Sequence, residues 1–289
     1  MISPTLVLQN TVDGIFLGLF YSLVAIGLAL IFGVMDIINF AHGDLLMLAA
    51  YFAWLGSVDL STDPSITALL LVPTFFILGI GLYYGLIQPV IGKEPLIQIA
   101  VTVGFGLILQ NIALATFKAE PKAVPYSIFN FSYSIGPLTL YASKLFIAAV
   151  SLATLLALHL FLNRTHLGLA MRSIADNREI AQLMGINVKK LYALTFGLGT
   201  SLIAFSASLW MTFGQVQPYL GTSFSLISWV IVALGGLGGV VGVLYSGIIV
   251  GLAESLGGLL LTPSARMAVV YVVFFLVLWF KPRGLFGRR

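Results

Sequence analysis

The segment RTHLGLAMRSIADNREIAQLMGINVKK, residues 164–190, is a charged stretch between two long apolar segments. About 20 apolar residues cross a bilayer, and both neighbouring segments are long enough to do so. The segment contains five of the 14 basic residues of the chain, which are Arg164, Arg172, Arg178, Lys189 and Lys190. We therefore expect a small folded loop, residues 164–190, that lies in the cytoplasm and docks onto another component there.

The composition of the whole chain identifies a membrane protein. Hydrophobic residues make up 60% and charged residues 8%, whereas soluble domains have about 45–50% and about 25%. A soluble fold of 289 residues could not cover its surface with so few charges. The apolar segments are spread evenly, so we expect one transmembrane domain, residues 1–289. The basic residues sit at segment ends and in loops, so membrane topology explains them and nucleic acid is not expected as a partner. There is no cysteine, which excludes disulfides and thiol chemistry.

Nine apolar segments predict the architecture. Seven are long enough to cross a bilayer, and they lie near 6–33, 66–88, 95–117, 141–163, 191–213, 240–261 and 266–281. Two more, 37–56 and 223–238, are short or interrupted by polar residues and glycines. We expect an all-α polytopic bundle of eight or nine membrane segments, some of them short or broken. GxxxG spacings such as Gly14/Gly18 and Gly247/Gly251 favour close helix packing.

The distribution of basic residues predicts the orientation. If all nine segments cross and the N-terminus is outside, ten basic residues lie in the cytoplasm and four, namely Lys118, Lys122, Lys144 and Arg266, lie outside. Cytoplasmic loops carry the excess of Lys and Arg, so this orientation is preferred to its inverse. The C-terminus is then cytoplasmic.

The charged loop itself has the signals of two short helices, at about 168–175 and 177–184. Asp176 is the predicted N-cap of the second helix, and Glu179 three residues later completes a capping box. Gly185 is the predicted residue just beyond its C-terminus.

The second loop helix is predicted to be amphipathic. Ile180, Leu183 and Met184 share one face because residues three and four apart are neighbours on a helix. That face must be buried against the bundle, against lipid headgroups or in the groove of a partner. A connector lying on the membrane surface is the alternative interpretation.

A polar stretch, DIINFAHGD at residues 36–44, interrupts the second apolar segment. Polar groups at membrane depth are costly unless they face a cavity, partner groups or water. Paired broken segments in the two halves of a transporter point to its transport path, and the second broken segment leads into GGLGG at 235–239. The predicted substrate-pathway residues are Asn39, His42, Asp44, Gly235, Gly236 and Gly238. The alternatives are a cytoplasmic turn after the first span and, for His42, a bond to a neighbouring helix.

Enzyme motifs are missing from the sequence. There is no GxxxxGK[ST], no HExxH and no GxSxG. The three histidines are not spaced as a metal set. We therefore expect no catalytic residue, no metal and no cofactor bound by this chain.

Four segments are similar to those of one family. The stretch LGLFYSLVAIGLALIFGVMDIINFAHGDLLMLAAY, residues 17–51, resembles the opening signature of the LivH branch of ABC permeases for branched-chain amino acids. Residues 167–187 resemble the cytoplasmic coupling region of that family, 232–256 its third signature, and KPRGLFG at 281–287 its C-terminal motif. The resemblance covers nearly the whole chain in the expected order. The chain departs from it at Gly239, where many relatives have Ser, and at Asp44, where Glu is frequent.

The resemblance implies a permease subunit of an ABC importer in a bacterial plasma (inner) membrane. The implied partners are a second, related permease chain, two cytoplasmic ATPases that bind the ATP, and an external solute-binding protein. The residues implied to couple the permease to an ATPase are Arg172, Asp176, Asn177, Arg178, Glu179, Leu183, Gly185 and Asn187.

The expected substrates are branched-chain or other neutral amino acids, because a mostly apolar path without fixed charge suits a zwitterion. Permeases for urea or short-chain amides resemble the same family and stay an alternative. A self-contained secondary carrier or channel is a second alternative, and it would leave the capped loop unexplained.

Overall fold

The computed structural model describes residues 3–125, 128–129, 131–136, 138–236 and 239–287. Eleven α-helices make up most of this part of the chain, and the prediction of an all-α bundle is confirmed. The helices are α1 Pro4–Met35, α2 His42–Leu60, α3 Pro64–Leu82, α4 Pro95–Phe117, α5 Ala142–Arg164, α6 His166–Asp176, α7 Arg178–Leu183, α8 Val188–Trp210, α9 Leu220–Gly235, α10 Val240–Leu260 and α11 Arg266–Phe280. A π-helical turn, Tyr83–Ile87, and a 3-10 turn, Gln88–Val90, extend α3.

Eight helical segments in the described residues are long and apolar enough to cross a membrane, and α9, with 16 residues, is a shorter apolar helix. This agrees with the predicted eight or nine membrane segments. The second segment differs in detail, since α2 is a complete helix of 19 residues that begins only at His42. Residues 36–41 stay outside both α1 and α2.

The nine long helices alternate in direction, so the bundle has two distinct ends. One end holds the start of α1 and four short strands, β1 Lys122–Ala123, β2 Ser132–Ile135, β3 Leu138–Tyr141 and β4 Gln215–Val216. Strands β2 and β3 form an antiparallel hairpin, and β1 pairs with β4. We call this the hairpin end. The other end holds α6 and α7, the turn between α9 and α10, and the C-terminal segment, and we call it the α6–α7 end.

Glycines allow the two most extensively packed helices, α1 and α10, to approach closely. A Cβ atom added to Gly18 would lie 2.6 Å from the carbonyl oxygen of Gly247, and one added to Gly14 would lie 3.0 Å from that of Gly251. The two predicted GxxxG pairs therefore face each other. In lipid, where the hydrophobic effect does not drive helices together, such close backbone contact is a main source of association. Helix α1 is buried along most of its length by α5, α8, α9 and α10.

Candidate functional site

The segment between α1 and α2 lies inside the protein. Helix α1 ends at Met35, and the next residue, Asp36, has a φ of 52° that reverses the chain direction. The chain then runs back among the helices, and His42 reaches the carbonyl of Val24, in the middle of α1. The side chains of Asn39, His42 and Asp44 are 1%, 0% and 5% exposed. A solvated turn, the alternative considered above, does not fit this burial.

Helix α4 holds the backbone of this segment. The amide of Ile38 donates to Gln98 Oε1 at 3.2 Å, and the amide of Phe40 donates to Thr102 Oγ1 at 3.2 Å. Thr102 Oγ1 is also 3.3 Å from the carbonyl oxygen of Ile38. Buried backbone groups must find partners, and here side chains supply what helix geometry does not. The unwound conformation is therefore built into the fold.

Helix α9 holds the segment from the other side. Ser225 Oγ accepts from the amide of Gly43 at 2.8 Å and donates to the carbonyl of Phe40 at 2.7 Å. A Cβ on Gly43 would collide with the carbonyl of Gly221, so only glycine permits this approach of α2 to α9. The two broken segments predicted from the sequence thus meet at the first turns of α2 and α9.

The side chain of His42 forms a hydrogen bond through Nε2 to the carbonyl oxygen of Val24 at 2.9 Å. Because a carbonyl only accepts, this contact places the proton on Nε2. In the described part of the chain, Nδ1 of His42 and Nδ2 of Asn39 are buried without a partner. The arrangement agrees with the alternative reading of His42 as a bond to a neighbouring helix, and it leaves two polar atoms for a water or a solute.

Asp44 lies in a niche made by two glycines. A Cβ at Gly106 of α4 or at Gly221 of α9 would collide with its carboxylate. Gln110 Nε2 donates to Asp44 Oδ1 at 2.8 Å and to Thr222 Oγ1 at 3.0 Å. Thr222 is exposed on the outside of the isolated chain, so this polar cluster connects the buried carboxylate with the surface of α4 and α9.

Sequence reasoning missed the residues that surround the segment. Gln98, Thr102, Gly106 and Gln110 recur every fourth residue along α4, and residues four apart share one helix face. A row of polar and small residues in an otherwise apolar helix is a signal that could have revealed them. No comparable signal marks Ser225.

The structure does not bring the predicted glycines of the pathway to this place. Gly235 ends α9, 14 residues beyond Gly221, which at 1.5 Å per residue is about 21 Å along the helix. Gly236, with φ of 79°, forms the turn towards α10, and a Cβ there would lie 2.5 Å from the amide nitrogen of Gly287. At the α6–α7 end, Gly236 therefore packs against the C-terminal segment, whereas Gly235 packs against Gly242 of α10. Gly238 lies outside the described residues, and a pathway role for these glycines stays a prediction.

The loop between α5 and α8 contains two helices, as predicted, but the predicted N-cap of the second is wrong. Asp176 is the last residue of α6, and Asn177 is the N-cap of α7, with Oδ1 accepting from the amide of Ile180 at 3.0 Å. Helix α6 continues one residue further than expected, which moves the turn to Asn177. Asn and Asp are equivalent caps, so local preference did not distinguish them. The capping box with Glu179 therefore does not form.

The C-terminal end of α7 follows the prediction. Gly185 has φ of 85°, and its amide donates to the carbonyl of Gln182 at 3.0 Å. The amide of Ile186 donates to the carbonyl of Ala181 at 3.1 Å, which completes a Schellman motif. Asn187 then caps α8 by accepting from the amide of Lys190 at 3.1 Å. Both ends of α7 are therefore closed by hydrogen bonds.

Helix α7 presents its apolar face outwards. It is anchored by Ala181, which is buried, and by Arg178, whose guanidinium lies 5.8 Å from the ring centre of Tyr192 on α8. Ile180, Leu183 and Met184 are 57%, 86% and 78% exposed. All eight predicted coupling residues are exposed, and they are Arg172, Asp176, Asn177, Arg178, Glu179, Leu183, Gly185 and Asn187.

A cavity of about 570 Å³ joins the two regions. Its lining includes Asp176 and Arg178 from the loop, Asp36 and Ile38 from the unwound segment, and Gln98 from α4. The loop helices therefore border the same space as the segment that α4 holds.

The long apolar helices define a multi-pass helical membrane protein. Residues 10–278 match the family model described as "Branched-chain amino acid transport system / permease component". The chain belongs to this family, which agrees with the resemblance noted from the sequence.

Named relatives agree with this assignment. The chain is 30% identical to the high-affinity branched-chain amino acid transport system permease protein BraD of Pseudomonas aeruginosa, over 97% of this chain and 96% of that protein. It is 31% identical to the corresponding protein LivH of Salmonella typhimurium, with the same two coverages. It is also 28% identical to a probable branched-chain amino acid transport permease protein LivH of Methanocaldococcus jannaschii, over 81% of this chain and 76% of that protein.

Proposed function

We propose that this chain is the membrane-spanning subunit of an ABC importer that carries branched-chain or other neutral amino acids. Partner ATPases bind and hydrolyse the ATP, a second permease chain completes the path, and an external solute-binding protein delivers the substrate. The observation that carries the proposal is α7, a helix closed at both ends whose apolar residues point away from the bundle. Relatives named as branched-chain amino acid permeases support the substrate class.

Helix α7 is proposed to sit in a groove of one ATPase. Leu183 and Met184 would supply the apolar contact, in the manner of an amphipathic helix laid into a hydrophobic groove. A helix capped by Asn177 and by the Schellman turn moves as a rigid body, whereas a flexible loop would dissipate the motion. ATP can drive transport only by binding one conformation better than the other, so the contact must transmit a displacement.

The displacement is proposed to reach the segment 36–44 through the cavity that both regions border. Arg178 is connected to α8 through Tyr192, and Gln98 connects the cavity to the backbone of Ile38. The free polar atoms of Asn39 and His42, together with the Asp44 cluster, are the groups proposed to line the substrate path. An unwound segment held by side chains can change shape at lower cost than a continuous helix.

The α6–α7 end is proposed to face the cytoplasm of a bacterial inner membrane, with the N-terminus outside. Eight described basic residues belong to this end, namely Lys93, Arg164, Arg172, Arg178, Lys189, Lys190, Lys281 and Arg283. Four belong to the hairpin end, so the distribution supports the orientation.

Reconstitution tests the proposal. Proteoliposomes with this chain, the second permease and the two ATPases should accumulate leucine when ATP and the loaded solute-binding protein are supplied. Proteoliposomes with this chain alone should not. Uphill transport by the chain alone would identify a secondary carrier and refute the proposal. Accumulation of urea or acetamide in preference to leucine would refute the proposed substrate class.

A further inference from the structure

A second charged cavity lies at the hairpin end, between α1, α5, α10 and α11. It encloses about 300 Å³ and is lined on its polar side by Asn10, Asp13, Lys144, Glu254, Ser255 and Arg266. The residues that line it include none from the segment 36–44 or from α7. The proposed path and the proposed ATPase contact therefore do not account for it.

Glu254 is the buried acid of this cavity. Its side chain is 8% exposed, and Tyr21 donates to Oε2 at 2.9 Å. Among the described residues, no Lys, Arg or His nitrogen lies within 4.0 Å of the Glu254 carboxylate. The two ion pairs found there involve Glu120 and Asp13 instead. An ionisable side chain inside a membrane helix is costly and marks a functional site by default. One carboxylate oxygen, Oε1, is thus open to a donor from elsewhere.

Arg266, at the rim, is the complementary group. It begins α11, it is exposed, and its stem lies over Gly258 of α10, where a Cβ would lie 2.8 Å from its Cγ. Within the described part of the chain its guanidinium makes no hydrogen bond or ion pair. Five fixed N–H donors without partners suit a carboxylate or a phosphate.

The other two charges of the cavity are already paired. Lys144 Nζ lies 2.7 Å from Asp13 Oδ1, and Gln9 Nε2 lies 3.2 Å from Asp13 Oδ2. Lys144 keeps two further N–H donors because an ammonium has three. The cavity therefore offers one free acceptor position on a buried acid and several free donors on two bases. Phe16, Leu17 and Phe20 form an apolar wall beside them.

We propose that this cavity binds a zwitterion with a primary ammonium group, an anionic group close to it, and an apolar chain. The ammonium donates to Glu254 Oε1, and the anionic group accepts from Arg266 and Lys144. Two sources share this chemistry, the headgroup of an ethanolamine phospholipid and a free neutral amino acid. Helices α5 and α11, which border the cavity, also expose apolar residues such as Leu152 and Phe275, so we expect a phospholipid to reach the cavity from the bilayer.

The test uses the full chain in nanodiscs that contain equal amounts of ethanolamine and choline phospholipids. Native mass spectrometry measures which lipid stays bound, and equilibrium binding of radiolabelled leucine measures the second source. Choline headgroups have no N–H donor and cannot form the hydrogen bond to Glu254, so ethanolamine lipid should be retained at least about tenfold more. Equilibrium binding of leucine, without preferential retention of ethanolamine lipid, would identify the free amino acid as the ligand.

Three variants decide the assignment. Glu254→Gln keeps the size of the side chain and removes its charge, and Arg266→Gln removes the guanidinium. Each should lower retention about tenfold. Glu120→Gln, an exposed acid at the same end that pairs with Lys122, should change nothing. If Glu254→Gln fails to fold by size-exclusion chromatography, Arg266→Gln decides alone. The proposal is overturned if neither ligand is retained, or if Glu254→Gln, when folded, or Arg266→Gln binds as well as the unmodified chain.

Discussion

The unwound segment 36–44 and helix α7 are both interruptions of the apolar pattern, yet the structure uses them in opposite ways. In the segment, polar groups are drawn into the bundle, and side chains of α4 and α9 satisfy its backbone. In α7, the backbone is satisfied by its own caps, and apolar side chains face outwards. A break in the hydropathy pattern therefore does not by itself define the role of a segment. What matters is whether its polar groups or its apolar groups lack partners.

The largest effect is expected on the outer face of α7. In the double variant Leu183→Asp with Met184→Asp, two apolar contacts worth about 1.5–3 kcal/mol each are lost. Coupled transport in the reconstituted complex should therefore fall far more than tenfold. Insertion and thermal stability of the chain should not change, since both side chains are exposed.

Gln182→Asp is the matched control, because Gln182 is also exposed on α7 but lies away from the apolar face. It should transport normally. Normal transport by the double variant would show that the outer face of α7 does not contact an ATPase. The remaining interpretation of α7 would be a connector that lies on the membrane surface.

A smaller effect is expected where α4 holds the unwound segment. Thr102→Val keeps the shape of the side chain but leaves the amide of Phe40 without its partner, at a cost of about 1–3 kcal/mol. We expect transport per inserted molecule to fall several-fold while membrane insertion is maintained. Thr154→Val is the control, because the hydrogen bond that Thr154 makes among the described residues is to the carbonyl of Val150 in its own helix. Equal losses of transport and insertion would show that the segment serves packing alone.

A still smaller effect, on local hydrogen exchange, distinguishes Asn177 from Asp176 as the N-cap of α7. Asn177→Ala removes the side-chain bond to Ile180 and should destabilise α7 by about 1 kcal/mol. Amides 180–183 should then exchange with deuterium faster, as measured by mass spectrometry of the purified chain. Asp176→Ala should leave exchange in α7 nearly unchanged, because Asp176 belongs to α6. Faster exchange in Asp176→Ala than in Asn177→Ala would show that Asp176, the N-cap predicted from the sequence, caps α7 after all.

Selective labelling of lysines determines which end of the bundle faces which solution, and it requires no change in activity. An impermeant amine reagent applied to intact spheroplasts should label Lys118 and Lys122 at the hairpin end. It should label Lys189 and Lys190, beside α7, only after lysis. Mass spectrometry of peptides reports each site, and labelling of Lys189 before lysis would place α7 outside and contradict its contact with cytoplasmic ATPases.

Much of the fold could be predicted because its signals are local. The spans follow from the length of apolar segments, and Gly185 follows from the left-handed conformation that a helix end of this type requires. The burial of Asn39, His42 and Asp44 could be anticipated, but their partners could not. Gln98, Thr102 and Gln110 lie more than 50 residues away in sequence, and only packing brings them to the segment.

Local sequence signals are enough to predict that this chain crosses a membrane many times and carries a capped amphipathic helix between its fifth and sixth crossings. The thickness of the hydrocarbon core of the bilayer and the capping preferences of helices constrain at most about 20 consecutive residues. Both signals are therefore visible in short stretches of sequence. Three further features are visible only in the folded chain: Asp44 sits between Gly106 and Gly221, Gly235 lies far from it, and α7 turns its apolar face outwards. These outcomes depend on how closely helices distant in sequence approach, and that distance is set by the packing of all of them together.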